Sequence, residues 1–142
     1  MNSQLKIRTS FVSPMNMDAI IGEGWLPVFI IRNIQNSQLI GKYSRSSIHF
    51  FWLAPSSQLF HRWRDNEISD EDYRQFYLAE IINNVDIEEV LDKFDILLRT
   101  SGAKGIVMMG YGQDYQKCHR SVLSKFINGR GILEDPIKEL VI

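Results

Sequence analysis

Apolar and polar side chains alternate over residues 5–11, Leu5-Lys6-Ile7-Arg8-Thr9-Ser10-Phe11, and this period of two predicts a first strand. Ser13-Pro14 reads as a helix entry with proline at the first helical position. Met17, Ile20 and Ile21 give that short helix an inner face, and Gly22 and Gly24 end it. Residues 25–31 are apolar on both faces, as expected of a buried central strand in a sheet covered on two sides. Pro27 is expected near the start of that strand, because it cannot donate to a ladder. Residues 32–47 are polar and read as a long connection, of the kind that is often functional or mobile, and residues 48–53 extend again briefly.

Helical spacing governs the next part of the chain. Pro55 starts a helix with Leu59, Phe60 and Trp63 on one side, and Asp65-Asn66 breaks it. Ser69 caps a second helix, where Asp70, Glu71 and Asp72 suit the positive end of the helix dipole and Tyr73, Phe76, Tyr77 and Ile81 continue the apolar spacing. Asp86 caps a third, carrying Ile87, Val90, Leu91, Phe94, Leu97 and Leu98 and stopped by Gly102. Gly105 to Tyr111 is a second buried strand, and Val122, Leu123, Phe126 and Ile127 mark a last helix ending at Gly129. Residues 132–142 fit either an edge strand or a short helix after Pro136. This order predicts an α/β fold: a single three-layer domain over residues 1–142, with a mostly parallel sheet and helices on both faces.

Composition narrows the picture. A chain of 142 residues suits one domain that buries roughly 70% of its unfolded surface. It can therefore fold without disulfides or a structural metal. The net charge of −1 gives no global basic excess, which lowers the prior for nucleic-acid binding without removing it. The single cysteine, Cys118, cannot form an internal disulfide, and three scattered histidines offer no metal-ligand spacing. The first residues lack an apolar signal core, and no apolar run approaches the ~18 residues of a membrane span. We therefore expect a cytoplasmic protein with no membrane partner, no metal and no cofactor.

The residues with candidate chemistry gather at the exit of the second buried strand. In open α/β sheets, ligands bind beyond the carboxyl ends of the strands. Gly110 and Gly112 allow a tight turn or close approach to a ligand. Cys118-His119-Arg120 falls at the first turn of the following helix, where free N–H groups and the helix dipole attract anions and favour thiolate. Cys118 and His119 are candidate catalytic groups, as nucleophile and acid or base. The bland reading is a cysteine packed as a small hydrophobe beside a histidine and an arginine bonded to nearby backbone. A Cys-x5-Arg phosphatase loop is absent, because position 124 is Ser124. Candidate ligand-binding residues are Arg120, for its two-pronged grip on phosphate or carboxylate, with Tyr111 and Asp114 from the loop. Arg8, Ser10 and Arg32 leave neighbouring strands, and Tyr43 offers a ring to a base.

The stretch from Met109 through Gly110-Tyr111-Gly112-Gln113-Asp114 to Cys118-His119-Arg120 resembles the strand–loop–helix signature of the domain-of-unknown-function 488 family. Leu53-Ala54-Pro55-Ser56 is similar to that family's Leu-Ala-Pro-Ser segment. Ile68-Ser69-Asp70-Glu71-Asp72-Tyr73 with the later Tyr77 is similar to its helix entry, and Arg8-Thr9-Ser10-Phe11 agrees as well. The resemblance implies the α/β fold and the location of the site; the family name assigns no activity. The leading expectation is a protein that binds or acts on a small anionic ligand, phosphate-bearing or nucleotide-like. The alternatives are a nucleic-acid-associated module using Tyr43, Arg45, Arg62 and Arg64, and a non-catalytic interaction domain in which Cys-His-Arg is structural.

Overall fold

The computed structural model describes residues 5–32 and 41–141. Five parallel strands form one sheet in the order β3-β2-β4-β1-β5: β1 is Ile7–Phe11, β2 Trp25–Phe29, β3 Ile48–His49, β4 Gly105–Gly110 and β5 Lys138–Glu139. Five helices lie wholly within the described residues: α1 Pro14–Gly22, α2 Ser57–Arg64, α3 Asp70–Asn84, α4 Ile87–Ser101 and α5 His119–Gly129. The expected three-layer α/β domain is therefore present, and every strand pair is parallel.

Strand alternation divides the core in two. Leu26, Val28, Ile30, Ile106 and Met108 face one side, where Leu59 of α2, Tyr73 and Tyr77 of α3, Phe94 of α4 and Leu123 of α5 cover them. Trp25, Phe29, Val107 and Met109 face the other, under Met17 and Ile20 of α1. β2 and β4 are thus buried on both faces, which is why their sequences show no alternation. Four helix starts are fixed by the side chains read as caps or adjacent to them. Ser13, Ser56, Ser69 and Asp86 each accept a backbone N–H three residues on, at 3.0–3.3 Å. Gly102, at φ 72°, ends α4 in the left-handed region.

Three local expectations change. Pro27 is the third residue of β2, not its start. Its nitrogen points to the β3 side, where pairing begins only at Val28 with Ile48, so no ladder bond is forfeited there. Residues 48–53 split into the two-residue β3 and a 3-10 turn at Phe51–Leu53. The tail resolves to the edge strand β5, which pairs with β1. Residues 33–40 of the polar connection, with Met1 to Gln4 and Ile142, lie outside the described residues. Among the described residues no helix is long and apolar enough to cross a membrane.

Candidate functional site

Parallel pairing of Phe29 with Met109 and of Phe11 with Gly110 brings the carboxyl ends of β2, β4 and β1 to one edge of the sheet. From Gly110 the chain turns through Tyr111 and Asp114. Asp114 caps a 3-10 turn, Tyr115–Lys117, by accepting from the Gln116 N–H at 3.0 Å. Cys118 then takes the N-cap position of α5 in extended backbone, without using its side chain as a cap. The thiol therefore stays free to face the site at the positive end of the helix dipole. A Cβ at position 110 would lie 2.7 Å from Cys118 Sγ, so the glycine is what lets the sulfur lie against the end of β4.

Cys118 is 6% exposed, and its sulfur lies 3.7 Å from His119 Nδ1. His119 Nε2 is 2.6 Å from the Ile30 carbonyl oxygen. A carbonyl only accepts, so Nε2 carries a proton and donates to it, which leaves Nδ1 as the ring nitrogen facing the thiol. The Tyr77 ring stands edge-on to the imidazole at 5.1 Å between centroids, and the Tyr77 hydroxyl donates to the Leu53 carbonyl at 2.6 Å. Burial pushes the Cys118 thiol up. The His119 charge and hydrogen bond, followed by the Arg120 charge and backbone N–H, outweigh it and bring the thiol from 9.0 down to about 6. Burial raises the Tyr73 and Tyr77 phenols above their ordinary value, and the Cys118 charge adds to this.

A cavity of about 390 Å³ opens over this pair. Cys118 and His119 line it together with the loop residues Tyr111, Gly112, Gln113 and Asp114, the strand-exit residues Ile31 and Arg32, and Phe60, Trp63, Arg64 and Tyr73. Trp63 and Tyr73 stack at 4.5 Å with their rings 17° apart, and Trp63 Nε1 donates to Asp70 at 2.7 Å. This makes a stiff aromatic wall. Cations at the lining are Arg32, Arg64 and Lys117, against the single carboxylate of Asp114. Arg32 is braced by its Nε donating to the Pro55 carbonyl at 3.1 Å.

A family model described as the active DUF488-N3 subclade, DUF488-N3a, matches residues 36–131, more than half of the chain. The chain belongs to the DUF488 family. Comparison with curated proteins and with solved structures gave no match. The matched segment of this DUF488 domain contains the whole loop, Cys118, His119 and Arg120, whereas the Ile30 carbonyl that orients His119 lies ahead of it.

The residues singled out in the sequence separate into two groups in this DUF488 domain. Cys118, His119, Tyr111, Asp114 and Arg32 line one cavity. Arg120, Arg8, Ser10 and Tyr43 do not. Arg120 is fully buried against Glu139. Arg8 reaches Asp135 at 3.0 Å and lies over the Trp25 ring. Ser10 accepts from Asn16 at 3.3 Å. Tyr43 is buried in the α1 layer with its hydroxyl donating to Asp18, so it shares no surface with Arg62 and Arg64 on the opposite layer. Sequence reasoning did not assign Phe60, Trp63, Arg64, Tyr73 or Lys117 to the site. The apolar spacing of α2 and α3 announced a buried face, and nothing local says that part of that face looks across at the loop after β4.

Proposed function

We propose that this DUF488 domain binds a small anionic ligand with a flat ring, of the nucleotide type, and acts on it through Cys118. The observation that carries this reading is the Cys118–His119 pair, with its tautomer set by Ile30, in the wall of a cavity that is aromatic on one side and cationic at its lining. Nδ1 takes the thiol proton, the sulfur lone pair attacks an electrophilic centre of the ligand, and Nδ1–H returns the proton to the departing group. Trp63 and Tyr73 supply ring contact, and a cavity of this volume is in the usual range for small-molecule sites.

Arg64 and Lys117 have carboxylate neighbours, Asp65 at 3.3 Å and Asp70 at 4.0 Å. Such exposed pairs are worth only about 0–1 kcal/mol, so an incoming phosphate recruits these cations at little cost. Isothermal titration of the full chain with the four common nucleoside 5′-monophosphates, the matching nucleosides and inorganic phosphate tests the reading. At least one monophosphate binds more tightly than its nucleoside. Cys118→Ser keeps that binding, and Arg64→Ala or Lys117→Ala each weakens it about tenfold. No heat from any of these ligands refutes the ligand class.

A further inference from the structure

Arg120 is fully buried, yet it does not line the cavity. Its Nε and one terminal nitrogen grip the two carboxylate oxygens of Glu139 at 3.1 and 2.8 Å. The guanidinium also donates to the Gly112 carbonyl and, at 3.4 Å, to the Gln113 carbonyl. The same group and the Cys118 sulfur meet at Gly110, where a Cβ would lie 3.6 Å from an Arg120 terminal nitrogen and 2.7 Å from the sulfur. One cation is therefore shared between a carboxylate and the thiol, and it holds two carbonyls of the loop that lines the cavity.

Glu139 is itself fixed. Pairing with β1 sets it beside Thr9, whose hydroxyl donates to a Glu139 oxygen at 2.6 Å, and the Leu140 N–H donates to the Thr9 carbonyl at 2.8 Å. Just upstream, the Asn128 side chain of α5 donates to the Ile137 carbonyl at 2.9 Å and accepts from its N–H at 2.8 Å, and Ile137 is buried. A two-residue edge strand is thus anchored from both sides. The family match ends at residue 131, so Glu139 comes from outside the segment that holds Cys118, His119 and Arg120.

We infer that Glu139 is a positioning residue of the Cys118 site: it holds the Arg120 guanidinium against the Gly112 and Gln113 carbonyls and takes up part of the charge that Cys118 would otherwise command. This rests on the reading of Cys118 as nucleophile. An arginine with no carboxylate partner would stabilise the thiolate further, and a more stabilised thiolate attacks more slowly. Glu139 therefore keeps the sulfur ionised but reactive.

The test is the rate of iodoacetamide alkylation of Cys118 in the full chain, followed between about pH 4 and 10. Glu139→Gln keeps a hydrogen-bond acceptor and removes the charge. It lowers the midpoint by about half a unit or more. It also lowers the plateau rate, by about threefold per unit of midpoint. Glu139→Asp, which keeps the charge, stays closer to the wild type in both. A folded Glu139→Gln chain with unchanged midpoint and plateau, or with a raised midpoint, overturns the inference. If Glu139→Gln does not fold, Thr9→Val takes its place: losing the hydroxyl leaves Glu139 drawing harder on Arg120, so the midpoint rises, and an unchanged midpoint overturns the inference. A wild-type midpoint near 9.0 would instead defeat the nucleophile reading beneath it.

Discussion

His119→Gln removes the group that most lowers the Cys118 thiol, while its amide can still donate to the Ile30 carbonyl. Without the imidazole, burial is opposed by Arg120 alone, and the thiol returns to its ordinary 9.0 or above. At pH 6 the ionised fraction falls from about one half to about one in a thousand, a loss of about 500-fold. The less stabilised thiolate is intrinsically more nucleophilic, by about 20-fold over three units at a Brønsted slope near 0.45. The net loss of alkylation rate is therefore about 25-fold at pH 6 and only about fivefold at pH 7. A single rate at neutral pH would understate the effect, and the full pH profile is the measurement to make. Its midpoint belongs to the Cys–His pair as a unit. The wild type turns over near pH 6 and the variant at least two units higher. Equal midpoints in the two chains would refute the pairing of His119 with Cys118.

Gly110→Ala places a methyl 2.7 Å from Cys118 Sγ, so the sulfur must move; alkylation at pH 7 falls about tenfold or more, and denaturant titration shows a loss of about 2 kcal/mol from the overpacked contact. Arg120→Gln leaves Glu139 without its buried partner and costs about 3 kcal/mol by the same titration, and it raises the Cys118 midpoint because a positive neighbour is lost. Tyr77→Phe deprives the Leu53 carbonyl of its hydroxyl donor in a fully buried setting; stability falls by about 2 kcal/mol, with little change in ligand affinity, because Tyr77 does not line the cavity.

Much of this fold is legible from local pattern. Strands β2 and β4 announce themselves as unbroken apolar runs, and the caps at Ser13, Ser69 and Asp86 start their helices where the sequence places them. What eludes the sequence depends on partners distant along the chain. Pro27 is tolerated mid-strand because β3 begins one residue later, and β3 itself is two residues long. The position of the loop after β4 was readable from its glycines and its place before a helix. The role of Arg120 was not, because its carboxylate partner is 19 residues away in a strand too short to show any period. The same holds for His119, whose orientation is set by a backbone carbonyl 89 residues earlier, and a carbonyl leaves no trace in residue type. Arg8 read as a cleft residue because it leaves the first strand, but its guanidinium pairs with Asp135 and lies over the Trp25 ring, and it does not line the cavity. In the proposed function the anion contacts accordingly pass from Arg120 to Arg32, Arg64 and Lys117, which do line the cavity.

In the proposed function, thiol, cavity and ligand form one site. Protection of Cys118 from iodoacetamide by nucleoside 5′-monophosphates, read by mass spectrometry of the intact chain near neutral pH, tests it most directly. At least one monophosphate is expected to slow labelling in a saturable way, with a half-effect concentration equal to its Kd, and Arg64→Ala to shift that concentration upward. Rapid labelling of Cys118 that no monophosphate slows, even at concentrations where titration shows the site filled, would contradict it.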